Sequence, residues 1–221
     1  MGVSTAWIAA AMAENGGGTI YTVDNGGHFA RSYEIGRVAA LNGPLEVLSG
    51  CTTLPDFLAK TFERSGGAAH VKCIEREIDL QDRRWLDEAI GGGADDIKID
   101  MVFSDFNHSV PTIVNVLATF LPRLNTNASI FIDSASTNMT SYYMLEALTT
   151  MLEGNKVPVE LLNAAGNERE RKKIHDVVTG SIFKLIHLVE RHDRPQNSTA
   201  WLKIITPSLL LKPGAYSVSL N

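Results

Sequence analysis

The stretch Ile99-Asp100-Met101-Val102-Phe103-Ser104-Asp105-Phe106-Asn107-His108-Ser109 governs the reading of the whole chain. Its first half is rich in β-branched and aromatic side chains and predicts a strand over 99–104. That strand ends on a carboxylate, Asp105, a residue type that strands disfavour. Two other runs have the same form. Thr19-Ile20-Tyr21-Thr22-Val23 predicts a buried strand ending on Asp24, and Ser129-Ile130-Phe131-Ile132 predicts one ending on Asp133. One such acid is explained as well by a helix cap or a turn as by a ligand. Three at equivalent places favour a site.

Helical segments separate these strands. Residues 4–14 are Ala-rich and stopped by Asn15-Gly16-Gly17-Gly18. Further helices are predicted over 29–41, 54–64 with Pro55 in the first turn, 80–90, 112–121 and 140–153, the last with Tyr143, Leu145, Leu148 and Met151 as its apolar residues. Leu45-Glu46-Val47-Leu48-Ser49 reads as a short strand ending at Gly50, and Val71-Lys72-Cys73-Ile74 as another. Strands over 183–190 and 201–205 flank the loop 191–199 and suit an antiparallel pair. Strands alternating with helices of this length predict an α/β fold with a mostly parallel sheet and helices on both faces. Ligands of such sheets bind at the carboxyl ends of the strands, where the three acids lie.

Composition narrows the function classes. The chain has 221 residues, 44% hydrophobic and 20% charged, with a formal net charge of −5. This suits one globular domain, 1–221, with 136–182 as a variable helical insertion. The acidic balance argues against a nucleic-acid partner, and Arg169, Arg171, Lys172 and Lys173, interleaved with Glu168 and Glu170, read as a solvated helix face. Two cysteines, Cys51 and Cys73, make neither a disulfide framework nor a zinc site and fit a cytoplasmic protein. No apolar run is long enough for a bilayer, and the N-terminus lacks a basic leader.

In order and spacing, Gly2-Val3-Ser4-Thr5-Ala6-Trp7-Ile8-Ala9, Tyr21-Thr22-Val23-Asp24, the 99–109 stretch and Phe131-Ile132-Asp133-Ser134 resemble class I S-adenosylmethionine-dependent methyltransferases. The likeness is to the small-molecule O-methyltransferase branch, with its catechol-type and methyltransferase-24-like families. It covers residues 2–135, with the closing hairpin in register. It implies a Rossmann-like sheet with a C-terminal antiparallel hairpin, S-adenosylmethionine as cofactor and a small hydroxylated molecule as substrate. A homodimer is left open. By the same resemblance, Gly2 and Ser4 match the loop that holds the methionine carboxylate; a plain N-cap explains Ser4 as well. Asp24 matches the acid that binds the ribose hydroxyls, a device shared with nicotinamide folds. Gly50 and Cys51 match the adenine-flanking loop, though Cys51 reads equally as a small core residue. Asp105 and Asp133 match a divalent-ion site, suited to Mg2+; alternatively Asp105 only holds the cofactor or positions substrate. His108, three residues past Asp105, matches a general base, against the plainer reading of a surface-loop histidine.

Two departures from the family matter. The residue beside Asp133 is Ser134, a poorer metal ligand than the usual amide. The buried first strand and glycine-rich turn that precede the match to Gly2–Thr5 are absent, so the expectation is an N-terminally truncated domain of low stability, unless Tyr216-Ser217-Val218-Ser219-Leu220 fills the gap. A degenerate, non-catalytic ligand- or partner-binding member of the family is the competing reading. A nicotinamide oxidoreductase is disfavoured because the visible loop lacks a GxGxxG.

Overall fold

A computed structural model describes residues 2–34, 46, 48–90, 98–189 and 198–207. The chain forms two compact units, Met1–Asp79 with Glu88–Ile90, and Leu80–Asp87 with Gly91–Asn221. Strands followed by helices, parallel pairing and a C-terminal antiparallel hairpin make the architecture α/β and Rossmann-like.

The first unit holds α1 (Val3–Asn15), β1 (Ile20–Asp24), α2 (Gly27–Glu34), α3 (Leu54–Arg64) and β2 (Val71–Glu75). β1 and β2 pair in parallel from Ile20↔Val71 to Asp24↔Glu75. Every residue of β1 is half-buried, so this strand is less enclosed than its apolar sequence suggests. Thr53 caps α3 by accepting the Asp56 N–H, and Pro55 occupies the first turn, where a missing N–H costs nothing. Leu54, Phe57, Leu58 and Phe62 follow helical spacing onto one buried stripe. They pack with Phe29, Leu48 and Cys51, the Phe29 and Phe57 rings 5.6 Å apart. Each such side chain contributes about 1.5–3 kcal/mol when fully buried. Gly67 lets α1 approach closely: a Cβ there would lie 2.4 Å from Ala9 Cβ.

Two expectations change here. Among the described residues of the run 45–51, Glu46 and Leu48–Cys51, there is no strand. Ser49 N–H bonds Glu46 O and Cys51 N–H bonds Leu48 O, the i to i+3 pattern of tight turns, and Leu48 is buried as a core plug. Among the described residues, the next strand after β1 is β2, which pairs with it in parallel. The helix predicted over 29–41 is seen as α2 to Glu34; the rest of it lies outside the described residues, as do Gly91–Gly93 and Tyr216–Leu220.

The second unit contains β3 (Ile99–Ser104), α5 (Val110–Phe120), β4 (Leu124–Asp133), α6 (Met139–Glu153), α7 (Val159–Asn163), α8 (Glu168–Gly180), β5 (Ile182–Val189) and β6 (Ser198–Ile205). α4 (Arg84–Ile90) precedes β3. The sheet order is β3-β4-β6-β5, with β3 parallel to β4 and β6 antiparallel to both its neighbours. Burial alternates along β4 and β6. Ala128, Ile130, Ile132, Ala200, Leu202 and Ile204 are enclosed, together with Ile113, Val116 and Leu117 of α5 and Leu145, Leu148 and Leu152 of α6. On the other face Phe131 stacks on Trp201 at 5.6 Å. Tyr143, grouped with the apolar residues of α6, is exposed; Tyr142 takes the buried position.

Glu170 overturns the reading of 168–173 as a wholly solvated face. It is 4% exposed and binds Arg83 and Arg123, which are also buried. Gly166 N–H donates to it at 2.8 Å, and Arg83 Nε donates to Thr119 Oγ1 at 3.1 Å. Burial alone raises the Glu170 carboxyl pKa. Hydrogen bonds from Arg123 and Gly166 and the charges of both arginines outweigh that and hold it below its ordinary value.

Candidate functional site

Among the sequence-predicted site residues, Gly2, Ser4, Asp24 and Cys51 belong to the first unit, and Asp105, His108 and Asp133 to the second. Gly2 starts α1. Its φ of 69° is left-handed, and its carbonyl accepts the Ala6 N–H at 2.8 Å. Ser4 is not the cap; it sits exposed in the first turn. The helix has no side-chain cap and no acid in its first turn. The N–H groups of the first turn therefore have no intrahelical partner and carry the positive end of the helix dipole, a setting that suits an anion. Thr5 Oγ1 lies 3.1 Å from Thr22 Oγ1, tying this turn to β1.

Asp24 closes β1. Its Oδ1 accepts the Gly26 N–H at 2.7 Å, and its carbonyl accepts the Arg76 N–H at 2.9 Å, so the carboxylate is held by its own turn. The register sets Glu75, the last residue of β2, beside it. Gly26 is held at φ 74°, and a Cβ there would lie 2.8 Å from Glu75 Oε1. Glu75 escaped the sequence reading although it carries the same mark as the others, an acid ending a short strand.

Cys51 is fully buried in the apolar cluster with Phe57 and Leu58. Burial first, then its neighbour Asp56, pushes the thiol pKa up. Among the described residues before it, Glu46 and Leu48–Gly50 make tight turns.

In the second unit, Asp105 and Asp133 each stand one residue past the paired Ser104 and Ile132. They are thus level on neighbouring parallel strands, whose axes are about 4.8 Å apart. The loop after Asp105 is built from short polar side chains. Asn107 Oδ1 accepts the Ser109 N–H at 3.2 Å and the Thr112 hydroxyl at 2.6 Å. Ser109 caps α5 by accepting the Thr112 N–H at 3.3 Å, and Pro111 sits in the first turn. His108 is half-buried between them, and the Ser141 hydroxyl of α6 donates to its carbonyl.

Asp133 is followed by a strained turn. Ser134 has φ 50°, unusual for a residue other than glycine, and is 1% exposed. Its hydroxyl donates to Asp133 Oδ2 at 2.8 Å, and its carbonyl accepts the Thr137 N–H. Ser136 N–H donates to Ser198 Oγ at 3.1 Å, anchoring the turn to β6. Ser134 therefore orients the carboxylate; its hydroxyl proton is committed. Among the described residues no group of three or more His, Cys, Asp or Glu side chains converges on a metal position, and no helix is long and apolar enough to cross a membrane.

Residues 1–135 match a family model described as a methyltransferase domain. Among solved structures, the chain is similar to the O-methyltransferase TomG from Streptomyces achromogenes, involved in tomaymycin synthesis and determined in complex with SAM. Identity is 15%, coverage 94% of this chain and 69% of that one, and the TM-score 0.45. It is also similar to cofactor-bound Rv0187 from MTB, with 13% identity, coverage of 92% and 67%, and a TM-score of 0.41. No curated protein matches significantly. With the family model spanning 1–135 of 221 residues, the chain belongs to the methyltransferase-domain family.

Proposed function

We propose that the chain transfers the methyl group of S-adenosylmethionine to a hydroxyl oxygen of a small molecule, with His108 as general base. The observation that carries this reading is the loop 105–109, which lies within the family match and fixes a histidine three residues past the acid that ends β3. In this reading the uncapped first turn of α1, at Gly2 and Ser4, receives the methionine carboxylate. Asp24, with Oδ1 on Gly26, turns its carboxylate to the ribose hydroxyls. Asp105, at the carboxyl end of β3, holds cofactor or substrate. The acceptor hydroxyl passes its proton to the His108 imidazole as its oxygen forms the bond to the methyl carbon. The bond from that carbon to sulfur breaks, and its electron pair stays on sulfur. Residues 136–182, which contain α6, α7 and α8, select the acceptor.

Magnesium is a separate element of the proposal. Two carboxylates level on adjacent strands suit an ion that keeps most of its waters, and Asp105 and Asp133 would be its protein ligands. When bound, such an ion supplies Lewis acidity that lowers the pKa of an acceptor hydroxyl.

The test is calorimetry with S-adenosylmethionine and with NAD side by side, followed by transfer of labelled methyl to a panel of phenols and aliphatic alcohols. Binding of S-adenosylmethionine alone and transfer to oxygen are expected. Preference for NAD would sink the reading. Tight S-adenosylmethionine binding with no transfer to any acceptor would leave the non-catalytic, ligand-binding alternative.

A further inference from the structure

We infer that Ser141, in the first turn of α6, is a positioning residue for His108; the inference rests on the reading of His108 as the base. The loop 105–109 has two sides. Toward α5, Asn107 and Ser109 are fixed by Thr112 through its N–H and its hydroxyl. The His108 carbonyl is not part of that network. Its partner is the Ser141 hydroxyl, 33 residues further along the chain. A carbonyl needs a donor, and Ser141 is 1% exposed, so little room exists for water to replace it.

The geometry is also unusual for a helix start. Serine in a first turn commonly turns its hydroxyl to its own backbone. Here the Ser141 N–H bonds Asn138 O, and the hydroxyl reaches out to another loop. α6 is itself the helix that follows Asp133. Its entry is held by Thr137 on Ser134 and by Ser136 on Ser198. One hydroxyl therefore fixes the base-bearing loop to the segment that carries the second acid. A base displaced by even ~1 Å can lose about 10²-fold in rate, so a fixed backbone at His108 has a catalytic consequence.

The experiment uses the full chain and three variants, Ser141→Ala, Ser141→Thr and Ser141→Cys. The first readout is the imidazole Cε1–H resonance of each of the six histidines by NMR. Ser141→Ala is expected to shift or broaden the His108 line, and Ser141→Thr to restore it. The second readout is transfer to whichever panel alcohol is methylated. There Ser141→Ala should lower kcat about 10- to 100-fold with KM for S-adenosylmethionine unchanged, and add nothing in a His108→Ala background. A wild-type His108 line and wild-type kcat in Ser141→Ala would overturn the inference. So would equal shifts of all histidine lines in Ser141→Cys, the variant that keeps the volume if Ser141→Ala fails to fold. If His108→Ala leaves turnover intact, the base assignment fails instead, and the NMR comparison still decides whether Ser141 holds the loop.

Discussion

Replacing Glu170 by glutamine should destabilise the protein far more than any other single charge removal on α8. The carboxylate binds Arg83, Arg123 and the Gly166 N–H, and the two guanidinium groups are 8% and 6% exposed. Glutamine keeps the shape but leaves two buried cations without their counter-charge. Removing one partner of such a pair costs about 3–5 kcal/mol. For a chain of this size that lowers Tm by roughly 6–20 °C, against a total stability of about 5–15 kcal/mol. Glu168→Gln is the control, because its carboxylate is 87% exposed and should change stability by less than ~0.5 kcal/mol. The ion triad also has a pH signature. The Glu170 pKa is depressed in the folded state, so its stabilisation is present above the ordinary value of 4.5 and disappears as pH falls through the lowered one. Urea melts followed by circular dichroism at pH 7 and at stepwise lower pH would show the wild type converging on Glu170→Gln in acid. The triad meets β4 at its amino end through Arg123, and Asp133 is at the other end of a ten-residue strand, about 30 Å away. Affinity for S-adenosylmethionine in the folded variant should accordingly stay within about twofold. A Glu170→Gln penalty below ~1 kcal/mol, or parallel pH curves for the two proteins, would refute the reasoning.

Asp24→Ala should weaken S-adenosylmethionine binding by about 1.5–3 kcal/mol, or roughly 10- to 150-fold, measured by calorimetry; unchanged affinity would remove Asp24 from the cofactor site. His108→Ala should lower turnover about 10²–10⁴-fold in the methyl-transfer assay without moving cofactor affinity. Excess EDTA should depress transfer and magnesium restore it, with Asp105→Asn and Asp133→Asn each reproducing the chelated state; full activity in EDTA would leave His108 as the main catalytic group. A thiol reagent should label Cys73 in the native protein and reach Cys51 only on unfolding, since one is exposed and the other is closed in the core; equal rates would argue against the packing around Cys51.

Strands bounded by acids were legible because β-branched runs and a terminal carboxylate are local signals. β3 and the helix α3 were placed to the residue, the latter by Pro55 at its start. The run 45–49 deceived because a short apolar run has no period: Leu48 is apolar because it plugs a core, and the described residues Glu46 and Leu48–Cys51 make tight turns. Val71–Glu75 has the weaker sequence signal, with exposed Lys72 and Cys73, yet it is the strand that pairs with β1. Glu170 was hidden for a related reason. Nothing local distinguishes it from Glu168; its partners come from 47 and 87 residues away. The contact between Ser141 and His108 is of the same kind, long-range and carried by one small hydroxyl.

The left-handed backbone of Ser134 limits the alphabet open to that position as the sequence drifts. Valine, isoleucine and threonine are barred by their branched Cβ, and larger side chains by the burial. Glycine would relieve the torsion yet remove the hydroxyl that orients Asp133. Asparagine tolerates the same torsion and would offer an amide donor in place of the hydroxyl. Neutral wandering at residue 134 is thus confined to a few small polar types, and a bulky or branched residue there would record that the turn after β4 had been released from its task.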